Sequence, residues 1–154
     1  MKAYQFVVVQ KIPLSLSETW DFFSSPLNLA KITPAEMAFT IVSGSEMISK
    51  MYQGMLISYK VSVAGVKLDW MTEITHVVDK KYFVDEQRFG PYKFWHHQHH
   101  FTEIEGGVEM KDIVTYGLSF GPLGALANKI YVGHKLRQIF EYRREKVSAL
   151  FGRL

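Results

Sequence analysis

The chain has 154 residues, 47% of them hydrophobic and 14% aromatic, enough for one domain with one substantial core and too apolar for a disordered chain. The formal net charge of +3 leaves 18 Lys and Arg nearly balanced by 15 Asp and Glu, which argues against a nucleic-acid binder. The absence of cysteine excludes a disulfide framework, a thiol nucleophile and a Cys-based zinc site.

Phe6-Val7-Val8-Val9 is rich in β-branched residues and predicts a first strand that ends at Ile12-Pro13. Ser15-Leu16-Ser17-Glu18 has the spacing of a capping box, in which Ser15 accepts from a free backbone N–H while Glu18 reaches back. The helix it opens runs through Thr19-Trp20-Asp21-Phe22-Phe23 and stops before Pro26. A second short helix is expected over Leu27 to Ile32, closed by Thr33-Pro34. Strands follow at about 37–43, 51–63, 66–78, 81–89, 92–104 and 108–118. After Gly121-Pro122, residues 123–152 carry no proline and predict one long helix. Its apolar stripe is Leu126, Ile130, Leu136, Phe140, Val147 and Phe151. Gly133, near the middle, either preserves a space beside the helix or lets a bulky strand residue approach. Lys129, Lys135, Arg137, Arg143, Arg144, Lys146 and Arg153 read as a solvated face, with transient contact to a membrane surface as the alternative. The fold class is α+β: an antiparallel sheet with one buried face, covered by the long helix.

Trp95-His96-His97-Gln98-His99-His100-Phe101 is the most unusual stretch. On a strand, Trp95, His97, His99 and Phe101 share one face, and the two large apolar residues turn that face inward. His96 and His100 point the other way, so the four histidines do not form one cluster. A two-residue type I′ turn at Gly106-Gly107 pairs Glu105 with Val108. That register sets Phe101 opposite Asp112, His99 opposite Val114 and His97 opposite Tyr116, with Asp112 diagonal to His99. A three-residue loop at Phe89-Gly90-Pro91 sets Asp85 opposite Trp95 and Phe83 opposite His97, and it places Gln87 on the same inner face. A tight turn at Asp79-Lys80 places Trp70, Thr72 and Ile74 inward, although a one-residue slip there would swap faces. The candidate ligand-binding residues are therefore Trp70, Asp85, Gln87, Trp95, His97, His99, Asp112 and Tyr116.

The phrases Phe83-Val84-Asp85-Glu86-Gln87, Gly90-Pro91-Tyr92, Trp95-x-His97-x-His99-x-Phe101, Met110-x-Asp112-x-Val114-x-Tyr116 and Phe120-Gly121-Pro122-Leu123-Gly124, with the ending Ile139-Phe140-Glu141-Tyr142-Arg143, resemble a bacterial branch of the START-like (SRPBCC) ligand-binding proteins. The resemblance covers essentially the whole chain, 1–154, as a single domain. It implies a helix-grip fold: a curved antiparallel sheet of six to seven strands wrapped on a long carboxy-terminal helix, with two short helices after the first strand. It also implies a deep hydrophobic cavity between sheet and helix. Members include lipid and quinone carriers, hormone receptors and polyketide cyclases, so the fold implies a container without naming a reaction.

Three readings of the interior imidazoles follow. In the first, the two Trp residues offer apolar surface and the polar residues orient one end of a small hydrophobic or amphipathic ligand, lipid, quinone or polyketide-like. In the second, a His–Asp pair is the general base and Tyr116 the proton donor of a cofactor-independent cyclase, dehydratase or hydrolase. In the third, the residues form a satisfied polar network with no ligand. Zinc held by His97, His99 and Asp112 is a smaller variant, and neither metal nor cofactor is expected. Gly121-Pro122-Leu123-Gly124 lacks the Lys and Ser/Thr of a phosphate loop, and no dinucleotide or nucleophile-elbow motif occurs. Met37, Met47, Met51, Met55, Met71 and Met110 line an adaptable pocket or fill gaps in the core. Without a signal-peptide core or a membrane-length apolar run, a cytoplasmic location is expected.

Overall fold

The computed structural model describes residues 2–42, 50–63 and 65–154. In chain order these form β1 (Ala3–Ile12), α1 (Leu16–Phe23), α2 (Pro26–Leu29), two 3-10 turns (Ala30–Ile32 and Ala35–Met37), β2 (Thr40–Ile41), β3 (Leu56–Val63), β4 (Val66–Val78), β5 (Tyr82–Phe89), β6 (Phe94–Ile104) and β7 (Gly107–Gly117). A helix then runs from Gly121 to Phe151 in three pieces: α3 (Gly121–Ala127), a π-helical turn (Asn128–Val132) and α4 (Gly133–Phe151). The seven strands make one antiparallel sheet in the order β1-β7-β6-β5-β4-β3-β2. Among the described residues no helix is long and apolar enough to cross a membrane.

The local signals act as their chemistry requires. Ser15 accepts from the Glu18 backbone N–H at 3.2 Å, and Glu18 Oε2 accepts from the Ser15 N–H at 3.0 Å, which closes the capping box of α1. That helix plugs one end of the sheet with Trp20, whose ring meets Phe83 and Phe101 edge-on at 5.9 and 5.4 Å. Burial alternates strictly along the middle of β6 and β7, with Trp95, His97, His99 and Phe101 buried. The packing of α4 against β1 is seen in Phe140 and Phe6, 5.0 Å apart.

Both hairpins that frame β6 differ from expectation by two residues. The tip of β6–β7 is Glu105-Gly106, with Ile104 opposite Gly107. Only Gly106 has a positive φ, +81°, so the turn is not type I′. Gly107 serves a different purpose: a Cβ there would strike the Ile12 carbonyl oxygen of β1. The resulting register sets Phe101 opposite Met110, His99 opposite Asp112, His97 opposite Val114 and Trp95 opposite Tyr116. In β5–β6, Asp85 faces His97 and Phe83 faces His99. That connection is longer because Gln87 ties it from inside, donating to the Tyr92 carbonyl at 2.8 Å and accepting from the Tyr92 N–H at 3.2 Å. A slip of two leaves every side chain on its expected face and changes only its partners.

At β4–β5 the feared one-residue slip occurs and is then undone. Val78 pairs with Tyr82 across a loop in which Lys80 adopts φ 56°. A bulge between Ile74 and His76 then restores Ile74 opposite Asp85 and Thr72 opposite Gln87, keeping Trp70, Thr72 and Ile74 on the inner side.

The expected second strand shrinks to Thr40–Ile41, because the 3-10 turn before it ends on Ala38 at φ 44°. Position 43 of that prediction, and Met47, lie outside the described residues. The third begins at Leu56 rather than at 51, after Gly54 turns the chain at φ +89°. In the terminal helix only the later part of the stripe is covered: Leu136, Phe140 and Val147 are buried, whereas Leu126 and Ile130 are 53% and 69% exposed. Gly133 is constrained first by its own helix. Its N–H bonds the Asn128 carbonyl five residues back, and a Cβ would press on that same oxygen at 3.2 Å.

Gly107→Ala is expected to lower stability by about 1–3 kcal/mol, since β1 and β7 must separate to admit the methyl group. Urea unfolding monitored by Trp fluorescence measures it, and an unchanged midpoint would contradict the close approach.

Candidate ligand cavity

Between the inner face of the sheet, α1, α2 and α4 lies a cavity of about 270 Å³. Much of its wall is apolar, with Tyr59, Trp70, Trp95, Leu136 and Phe140 among the residues facing it. Met37, Met51 and Met110 also line it, whereas Met55 is buried in a separate cluster under β3 and β4. Of the sequence-predicted residues, Trp70, Asp85, Trp95, His97 and His99 reach the cavity wall. Gln87, Asp112 and Tyr116 do not. Gln87 is spent on the β5–β6 loop, and Asp112 lies buried behind the imidazoles. Tyr116 faces Trp95 rather than His97, and its hydroxyl donates to Asn128 Oδ1 at 2.6 Å. The proton donor of the His–Asp–Tyr reading is therefore turned toward the helix, and that set does not assemble.

What assembles is a four-membered box on three adjacent strands. His97 Nε2 donates to Asp112 Oδ1 at 2.9 Å, and His99 Nε2 donates to Asp85 Oδ2 at 2.8 Å. The second nitrogens cross over: His97 Nδ1 is 3.3 Å from Asp85 Oδ2, and His99 Nδ1 is 2.9 Å from Asp112 Oδ1. The His99 Nδ1 contact lies off the hydrogen-bond axis, so that nitrogen has proximity without an aligned bond. The two rings lie over one another at 3.7 Å, and Phe83 stacks on the outer face of His99 at 4.1 Å.

Burial alone would raise both carboxyls, but the adjoining imidazoles prevail and hold Asp85 and Asp112 well below the usual carboxylate range. Burial alone would lower His97, but Asp85 and Asp112 push it up to about 9. Asp85, His97 and His99 also place one ligand atom each within 4.8 Å of one another, so these three, rather than the set with Asp112, are the group with metal-ligand spacing. Their nitrogens already serve the carboxylates, and a cation would have to displace those contacts.

One wall residue departs from its expected role. Arg143 does not sit on a solvated face; it lines the cavity, with its guanidinium 4.9 Å from the Phe140 ring. Among the described residues its Nε is buried without a hydrogen-bond partner, and so is Trp70 Nε1. The signal was present in the spacing. Leu136, Phe140, Arg143 and Val147 follow one another by four, three and four, which puts Arg143 on the apolar stripe itself. Lys135 also reaches the cavity and pairs with Glu36 at 2.9 Å, linking α4 to the second 3-10 turn. Tyr59 stacks on Trp70 at 5.8 Å and shares a 2.9 Å hydrogen bond with Thr72.

No family model matches the chain, and no curated protein matches its sequence. Its structure matches solved ones along nearly its whole length. A protein of Chromobacterium violaceum superposes with TM-score 0.74 at 9% identity, covering 96% of each chain. The ginseng major latex-like protein 151 of Panax ginseng gives 0.70 at 12%, over 97% of each chain. Ara h 8.0201 gives 0.63 at 15%, over 96% of this chain and 99% of that one. At these identities the likeness is one of fold, and that fold is the helix-grip fold expected from the sequence.

Removing one side of the box leaves buried charge uncompensated, so Asp112→Asn is expected to cost about 3–5 kcal/mol in urea unfolding. The pH profile has a defined sign. His97 is raised in the folded state, so its contribution is complete below its unfolded value of 6.5 and is lost as pH climbs through about 9. The lowered carboxyls contribute above their unfolded value near 3.8 and lose that contribution as pH falls further. Chemical denaturation from pH 3 to pH 10 should therefore give a maximum between about pH 4 and 6.5 and a decline toward 9. In His97→Phe the alkaline decline should flatten, and its persistence would mean that another group causes it.

Proposed function

We propose that this helix-grip chain binds a small amphipathic molecule, its apolar body against the aromatic wall and its polar end at the Asp–His box. The observation that carries the reading is the combination in one cavity. A cavity of about 270 Å³ is walled largely by apolar side chains and has one patch of buried ionisable groups. Binding sites are built this way, with apolar contact supplying affinity and a few placed polar groups supplying orientation. A dry structural network would close over its charges. Here Asp85, His97 and His99 stand in the cavity wall, and two further donors are left without partners. Lipids, quinones and polyketide-like aromatics all have the required character, and the stacked Tyr59–Trp70 pair with Trp95 edge-on to Trp70 favours a planar ring system.

The neutral dye N-phenylnaphthylamine should enter the cavity and brighten on titration with the purified protein, and native mass spectrometry of the same protein should reveal retained ligand where affinity is high. Ile139 lines the cavity and is only half-buried. Ile139→Trp should fill the space and weaken dye binding at least about tenfold with no loss of thermal stability. Failure of the dye and of a lipid, quinone and polyketide panel to bind would remove the proposal.

A further inference from the structure

The box leaves Arg143 out. All four ring nitrogens of His97 and His99 lie within 3.3 Å of an Asp85 or Asp112 oxygen, so two acids and two bases close on one another. Arg143 makes no ion pair or hydrogen bond among the described residues; its close partner is the face of Phe140. Burial pulls the guanidinium below its ordinary value, and Asp112 and Asp85 offset this only from a distance. Arg143 as a residue is half-buried, with Nε its fully buried nitrogen, and a partly buried cation without an adjacent anion is an unfavourable arrangement. Trp70, on the same cavity wall, repeats the pattern with Nε1, a buried donor with no acceptor among the described residues. Arg and Trp side chains are donors only, so an occupant that satisfies both must present acceptors.

We infer that the ligand of this cavity is a small amphipathic carboxylic acid whose carboxylate is held by Arg143, with Trp70 Nε1 as a second donor. The inference rests on the reading that the cavity binds a ligand at all. A ketone or quinone oxygen would satisfy one donor and leave the surplus charge. A hydroxyl or amine would bring further donors to a place that has enough. A carboxylate brings two acceptor oxygens and the missing negative charge, in the geometry a guanidinium recognises best. The location of Arg143 agrees, because a cation kept for structure would have been placed against Asp85 or Asp112, which the imidazoles occupy instead.

The test compares an acid with its neutral isostere by displacement of bound N-phenylnaphthylamine. Naphthoate should displace the dye at least about tenfold more tightly than acetonaphthone, as expected for a charge-assisted hydrogen bond made out of water. Arg143→Met keeps the apolar stem and removes the charge. It should abolish the preference by weakening naphthoate far more than the ketone, and leave the melting temperature equal or higher. Equal displacement by acid and ketone in the unaltered protein, or a preference that survives in Arg143→Met, would overturn the inference while the cavity reading stood. A marked fall in the melting temperature of Arg143→Met would make Arg143 a structural counter-charge and would overturn it too. Absence of dye binding to the unaltered protein would instead remove the cavity reading, and this inference with it.

Discussion

The Asp85–His97–Asp112–His99 box is the constraint on which the centre of the sheet depends. It joins β5, β6 and β7 through side chains at the point where their backbones already pair, and it does so in a region with little water to compete. Apolar alternation along these strands is satisfied by any even shift of register, because each such shift returns Trp95 and Phe101 to the inside. The box is not so tolerant. With His99 opposite Val114, Asp112 would sit beside Phe101 and the ring of contacts would open. The charges thus select among registers that the hydrophobic pattern leaves equivalent. Specificity of this kind is the best-attested use of buried polar groups, whose net contribution to stability is often small.

The same distinction explains what was legible from the residues alone. Period-two alternation and the apolar ends of the histidine strand show that His97, His99, Asp112 and Asp85 face inward, and they do. Partner identity depends on the hairpin tip, and there the Gly106-Gly107 pair misleads. One glycine supplies the positive φ, and the other yields room to Ile12 on a strand more than ninety residues away, a contact with no local signature. The bulge at Thr75 is equally silent, since it corrects a slip that a turn without glycine introduces. Registers that rest on non-local contacts are hidden from local reading. Faces are not.

The terminal helix shows a second kind of hidden information. The eye stops at Arg143 because it is charged, and it is easily grouped with Arg144 and Lys146, which are exposed. Its position along the stripe, three residues after Phe140 and four before Val147, was the stronger signal. The front of the helix errs in the opposite direction: Leu126 and Ile130 fit the periodicity but stay exposed, because the π-helical turn at Asn128–Val132 rotates the helix faces on either side of it. That turn has a local consequence. It presents Asn128 to the Tyr116 hydroxyl, satisfying a buried phenol that would otherwise need a partner in the cavity.

Pairing within the box also determines what the cavity can recognise. Two carboxylates exposed to the cavity by themselves would repel an acid and would demand water or a cation. Closed against two imidazoles, they direct their oxygens at ring nitrogens and present the cavity with ring faces and edges. The electrostatic character of the wall is then left to Arg143, the one ionised group there with no close counter-charge among the described residues. Because Arg143 comes from α4 and the box from the sheet, ligand charge and sheet register are governed by separate elements. Mutations in α4 should therefore alter which head group is accepted while the strand registers hold, whereas mutations in the box should disturb the sheet first and binding only as a consequence.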